Sequence, residues 1–210
     1  MSDDMTALLS RVSALEAQLE EHDAKEQIRE VLYRYARGAD RCDLELFKSC
    51  YHPDATNCHW FFNGNGHDFA DFVIPLLSEC DNSQHSITNP LIDLDLDNDR
   101  AFVECQWYVL HHLPFDDGRY IDQQVEGRYL DVFERRDGEW KIFHRQTALE
   151  AFREFVVPDV VSMRGYPDDF PGVGYRAPKD AVYKGSAIAD ESFEPVNGVD
   201  LWAQARARHT

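Results

Sequence analysis

The sequence has no C-x-x-C pair, and its cysteines are odd in number: Cys42, Cys50, Cys58, Cys80 and Cys105. That argues against a disulfide framework and a structural zinc site, so the five read as reduced, mostly buried thiols. Apolar runs long enough to span a bilayer are absent, and the N-terminus MSDDMTALLS lacks the basic-then-apolar order of a signal peptide. No anchor or export signal is expected, and a cytoplasmic location follows by default. Positive charge is scarce: 21 Lys and Arg stand against 39 Asp and Glu, a formal net charge of −18. Such a surface repels phosphate backbones and anionic membranes, so neither nucleic acid nor membrane is an expected partner. There is no glycine-rich phosphate loop and no G-x-S-x-G elbow, which disfavours nucleotide binding and serine hydrolase chemistry. A metal triad of His85, His111 and Asp40 is conceivable, but no H-x-H or H-x-x-E spacing supports it. No metal or organic cofactor is therefore expected. Repeats and low-complexity tracts are also lacking.

What is present fits one domain with extensions, since 210 residues can bury a real core and enclose a small-molecule pocket. The chain is organised around Ile28 to Ala55, IREVLYRYARGADRCDLELFKSCYHPDA. Ile28, Val31, Leu32, Tyr35 and Ala39 recur at three and four, the spacing of one buried helix face. Tyr35 and Asp40 point roughly 140° apart on a straight helix, so both reach one cavity only if the helix loosens near Gly38 or the cavity wraps around its end. The expectation here is loosening at Gly38. The plainer alternative is that Tyr35 is core and Asp40 caps the following helix, DLELFKSCY.

Before this stretch, Leu8, Val12, Leu15 and Leu19 form a short heptad seam, too short to favour a coiled coil, so residues 1–22 are read as a separate N-terminal helix that packs against its own domain or a neighbouring subunit and serves assembly. After it come a short strand, Thr56 to Phe62, and a helix from about Asp68 to Glu79. The period then changes, and four strands are expected: Gln84–Leu96, Ala101–Leu113, Gln123–Arg135 and Trp140–Glu150. Helices followed by a long antiparallel meander give an α+β domain over residues 23–150, a curved sheet wrapped around the helices with a pocket on its concave side. Residues 151–210 lose periodicity but carry Phe155, Tyr166, Phe170, Tyr175, Tyr183 and Phe193, too aromatic for a disordered tail. They read as an ordered arm ending in a helix, Gly198 to Arg208. The arm and the heptad helix together predict a homo-oligomer, with a trimer favoured.

Chemistry centres on His85 in SQHSITN, at the start of the first long strand. A carboxylate such as Asp40 beside it fixes the tautomer and stabilises imidazolium, which makes a better general base. Arg145, in EWKIFHR, alternates with Trp140, Ile142 and His144 and shares a face with Phe143. Its guanidinium needs an acid or an anionic substrate group, so it either forms a structural salt bridge or binds a leaving group or phenolate. His59, Tyr51, Asn89, Tyr108 and Tyr129 are candidate substrate-binding residues, and only one of His111 and His112 can face the cavity.

The stretches IREVLYRYARGADRCDLELFKSCYHPDA, SQHSITN and GRYLDVFERRDGEWKIFHR, in this order over about residues 22–150, resemble the nuclear transport factor two-like superfamily, SnoaL-like branch. The resemblance implies a cone-shaped α+β barrel of the cystatin-like kind with a deep apolar pocket. It also implies a cofactor-independent lyase in which a strand histidine, His85, and a helix-terminal aspartate, Asp40, abstract a proton while Tyr35 and Arg145 assist. The substrate would be a hydrophobic, aromatic small molecule, either dehydrated or cleaved in a retro-aldol step that releases formaldehyde from an aryl-propanediol. Oxygenase small subunits share the fold without catalysing anything, so a non-catalytic binding module or subunit is the competing class.

Overall fold

The computed structural model describes residues 3–115, 119–158 and 174–190. The expected helix Gly198–Arg208 and the aromatics Tyr166, Phe170 and Phe193 lie outside the described residues. Three helices come first: α1 (Asp3–Arg41), α2 (Leu44–Ser49) and, after two short strands, α3 (Gly66–Ser78). The strands are β1 (Tyr51–His59), β2 (Phe62–Asn65), β3 (Asn82–Asp95), β4 (Arg100–Pro114), β5 (Arg119–Arg136) and β6 (Glu139–Pro158). They form one curved, unclosed sheet in the order β2-β1-β6-β5-β4-β3, and this is the expected α+β class. Its pairs are antiparallel except β1 with β6, which run parallel.

The heptad segment and the organising helix are one continuous helix, not two. Its first 21 residues are exposed, and from Ala24 onward Ile28, Val31, Leu32, Tyr35 and Ala39 are buried against the sheet. The helix does not loosen at Gly38. That glycine is a close-packing position: a Cβ there would lie 2.9 Å from the backbone nitrogen of Phe47, so only Gly lets α2 fold back this tightly. Cys42, with φ of 53°, turns the chain out of the helix, and Asp43, not Asp40, caps α2 by accepting from Leu46 N–H at 3.1 Å. Asp40 is thereby free for other partners.

On β4, Val103, Cys105, Trp107 and Val109 face inward and their neighbours outward, the period-two pattern of a sheet with one buried face. The β5–β6 hairpin closes over Asp137 and Gly138, both with positive φ. One expected alternation fails on β6. The register with β5 skips Phe143, pairing Val132 with His144 and Phe133 with Ile142. This bulge puts Arg145 on the same inner face as Trp140 and Ile142 and leaves Phe143 outside, under the Arg100 and Arg136 guanidinium groups.

Residues 174–190 return to the ends of α1 and α3. Ala177 N–H donates to the Arg41 carbonyl at 2.7 Å, Tyr183 O–H to Asp43 at 2.7 Å, and Asp180 lies 3.4 Å from Arg41. Among the described residues no helix is long and apolar enough to cross a membrane.

Candidate active site

The end of α1 meets the start of β3. Both carboxylate oxygens of Asp40 accept the main-chain N–H of His85 at 2.9 Å, and Oδ1 also accepts from the imidazole Nδ1 at 2.7 Å. Ser83 Oγ adds a longer bond at 3.4 Å. Because the carboxylate can only accept, the proton between ring and acid sits on Nδ1, and the neutral ring carries its lone pair on Nε2. The His85 side chain lines the cavity while Asp40 stands behind it, an arrangement suited to taking a proton on Nε2. Asp40 is also held from its other side. Arg176 donates to its main-chain carbonyl and to those of Leu77 and Cys80, the latter two at 3.2 and 2.9 Å. One guanidinium thus bridges main-chain carbonyls at the C-terminal ends of α1 and α3, adding to the Cys80 N–H that Leu77 already accepts, where a cation is also favoured by the helix dipoles.

The cavity has a volume of about 230 Å³ and is bounded by α1, α2, α3 and the concave face of the sheet. Aromatic rings make much of its wall: Trp107 stacks on Tyr129 at 5.5 Å between centroids and on Trp60 at 6.4 Å. Three histidines line it, His85, His59 and His111. His59 stacks on Phe69 at 4.3 Å, and its Nδ1 is within hydrogen-bond distance of Asn57. Burial pushes its pKa down to about 3, with the Arg145 and His85 charges acting the same way. His111 lies 5.7 Å from the His85 ring, its Nδ1 has no hydrogen-bond partner among the described residues, and burial with the His85 and Arg176 charges lowers it to about 3. Both rings are therefore neutral at physiological pH. His112, one residue on, faces outward, pairs with Asp122 and stacks on Tyr120 at 4.1 Å.

Tyr35 and Tyr129 also line the cavity, so Tyr35 and the His85–Asp40 pair do share it, because the cavity curves round the end of a straight α1. Tyr51 is buried one layer behind, 6.1 Å from the Tyr35 ring, and its hydroxyl accepts from Asn57 at 2.6 Å. Burial raises the pKa of Tyr35, and of Tyr51 and Tyr129 well above the ordinary tyrosine value, against the opposing Arg145 charge. These phenols stay protonated and act as donors.

Arg145 does not reach the cavity. Nε and Nη2 donate to Asp131 at 2.8 and 2.6 Å, both side chains are wholly buried, and the guanidinium lies between the rings of Tyr35 and Tyr129 at 4.1 and 3.8 Å. Its anion is Asp131, which the sequence reading overlooked. Asp131 sits at period two from Tyr129 and Phe133, an acid on an apolar face, and that was the available signal. Two residues expected at the wall, Tyr108 and Asn89, stand outside it. Tyr108 points outward because it alternates with the inward Trp107 and Val109, and Asn89 lies at the register shift between Thr88 and Leu91, where φ of 52° turns it outward to bond Gln106. Arg176 had no sequence signal, since its acceptors are main-chain atoms brought near only by folding. Among the described residues no group of three His, Cys, Asp or Glu side chains is placed to hold a metal ion.

Solved structures share this architecture. A hexachlorocyclohexane dehydrochlorinase, LinA type 2, superposes with a TM-score of 0.58 at 18% identity over 74% of this chain and 99% of its own. A putative scytalone dehydratase from Novosphingobium aromaticivorans gives 0.56 at 18% identity, over 69% and 97%. The Kfla4162 protein of Kribbella flavida gives 0.57 at 19% identity, over 63% and 95%. At these identities the likeness is one of fold. Residues 20–146, more than half of the chain and the part that carries α1's buried face, the sheet up to the first half of β6 and the His85–Asp40 pair, match the SnoaL-like domain, and the chain belongs to that family.

Proposed function

We propose that this protein is a cofactor-independent lyase acting on a hydrophobic, aromatic small molecule, with His85 as general base and Asp40 as its orienting and charge-stabilising partner. The observation that carries this reading is the 2.7 Å contact between His85 Nδ1 and Asp40, with the ring lining an aromatic-walled cavity. A non-catalytic subunit needs neither the pair nor the cavity. In a dehydration, Nε2 takes the proton from a carbon next to a carbonyl or arene. The C–H electron pair forms the new double bond, and the hydroxyl departs as water with a proton returned by the imidazolium. In a retro-aldol cleavage, Nε2 takes a hydroxyl proton, the O–H pair becomes the carbonyl of the released aldehyde, and the broken C–C pair passes to the aryl-bearing carbon, where it forms a C–H bond with the proton returned by the imidazolium. Either reaction uses the same base. Tyr35 and Tyr129, protonated and at the wall, donate to developing negative charge on substrate oxygen, and Arg145 beneath them is a positioning residue.

SnoaL-like membership and the dehydratase and dehydrochlorinase neighbours support elimination as the reaction type. The test is a two-part assay on the whole chain. A β-aryl-β-hydroxyketone is followed by absorbance of the conjugated alkene, and a 1,2-diaryl-1,3-propanediol by formaldehyde trapping, each with wild type and His85→Ala. Turnover of one class that the variant loses supports the reading. Binding of both compounds with no turnover by wild type sinks it in favour of a binding module.

A further inference from the structure

The N-terminal 21 described residues of α1 have no core of their own. Every residue from Asp3 to Asp23 is exposed, including Leu8 at 55%, Leu15 at 62% and Leu19 at 60%, and the helix up to Leu19, about 25 Å of it, stands clear of the described part of the domain. It is an extension of the anchored part of α1, so nucleation costs nothing more, but an apolar stripe left in water gains nothing from burial. The stripe is regular. Met5, Val12 and Leu19 occupy one heptad position, Leu8 and Leu15 the position three residues on, and these are the a and d sites of a coiled coil.

We propose that residues 3–23 form a parallel, in-register coiled coil with the same segment of a second copy of this chain. Charge decides both occupant and direction. In a parallel pair each g residue faces the e residue five positions later on the other helix. Arg11 then meets Glu16, and Gln18 meets Asp23, with no like charges opposed. An antiparallel pair sets e against e and turns Glu16 and Asp23 towards a side bearing the same acids. Self-pairing also buries the five apolar seam residues against their own counterparts, because a meets a and d meets d, and leaves His22 at the last d site next to the domain. Among the described residues the domain leaves that seam exposed, and the ion pair of Arg135 with Glu20 at 3.1 Å uses a flanking b position. This inference does not depend on the catalytic reading and survives its failure.

The experiment uses the full chain. Light scattering at micromolar concentration should give a multiple of 24.3 kDa that is at least twofold. Leu8→Cys at a d position should link two chains on mild oxidation in a non-reducing gel, whereas Ala17→Cys on the outer f face should not; wild type, with its own five thiols, is the baseline. Leu8→Glu with Leu15→Glu should bring the mass down to one chain while the circular dichroism of the domain persists. A single-chain mass for wild type overturns the proposal. So does a multiple that the double Glu variant leaves unchanged, or linking of Ala17→Cys as readily as Leu8→Cys.

Discussion

Asp131 holds Arg145 through two parallel hydrogen bonds of 2.6 and 2.8 Å with neither side chain exposed, directly under the tyrosines of the cavity floor. A pair this deep is there at the cost of desolvating two charges, and that cost shows when only one is removed.

Arg145→Ala should therefore lower stability by about 3–5 kcal/mol, because it strands the Asp131 carboxylate in the core. Replacing both, Arg145→Met with Asp131→Leu, should restore most of that loss in urea unfolding. A single variant of wild-type stability that nevertheless stops turnover would place Arg145 in the chemistry instead of beneath it.

Acid sensitivity follows from the two neutral wall histidines. His59 and His111 have native pKa values of about 3 against an ordinary 6.5, so the native state resists a proton that the unfolded chain accepts. Their contribution is intact above about pH 6.5 and is lost as pH falls from there towards 3, at about 1.4 kcal/mol per pH unit for each ring. His111→Gln should flatten the slope of stability between pH 6 and 4 by about one proton. Equal slopes for wild type and variant would mean that the ring is already hydrated.

Much of the fold was legible because burial imposes a period. The strands of the meander and the buried face of α1 were readable from alternation and from three-four spacing. What escaped was non-local. The bulge at Phe143 reverses the parity of Arg145, the approach of Phe47 gives Gly38 a packing role, and the twist at Asn89 turns its side chain away; each is set by a neighbouring strand or helix. Of the site, His85 and Asp40 could be singled out by residue type and family resemblance, whereas Asp131, the choice of His111 over His112, and Arg176 needed the assembled sheet and arm.

Arg176 ties residues 174–190 to the ends of α1 and α3 by three main-chain carbonyls. Arg176→Ala should leave those acceptors to water and lower stability by about 1.5–3 kcal/mol, the range for charged hydrogen bonds. Amide exchange should rise at Ala177, whose N–H bonds the Arg41 carbonyl. Arg176→Lys should recover only part, since an ammonium is a point donor and lacks the planar fork that reaches both helix ends. Unchanged exchange in the alanine variant would mean that Tyr183 and Asp180 dock the segment unaided.

His85 and Asp40 should behave as one catalytic unit. With a substrate in hand, His85→Ala should lose on the order of 10²- to 10⁴-fold in turnover while the fold survives, the usual contribution of a general base. Asp40→Asn should also be severe. The amide can still accept the ring N–H, but it cannot stabilise imidazolium, and its own NH2 can turn the ring to the wrong tautomer. Asp40 also accepts the His85 main-chain N–H at 2.9 Å, so a melting curve must accompany the kinetics to separate a displaced β3 from a disabled base. Residues acting as one unit are not additive, so the double variant should be little worse than the worse single one. Additive losses, with all three variants folded, would mean that Asp40 serves only to pin the strand and that His85 works without it.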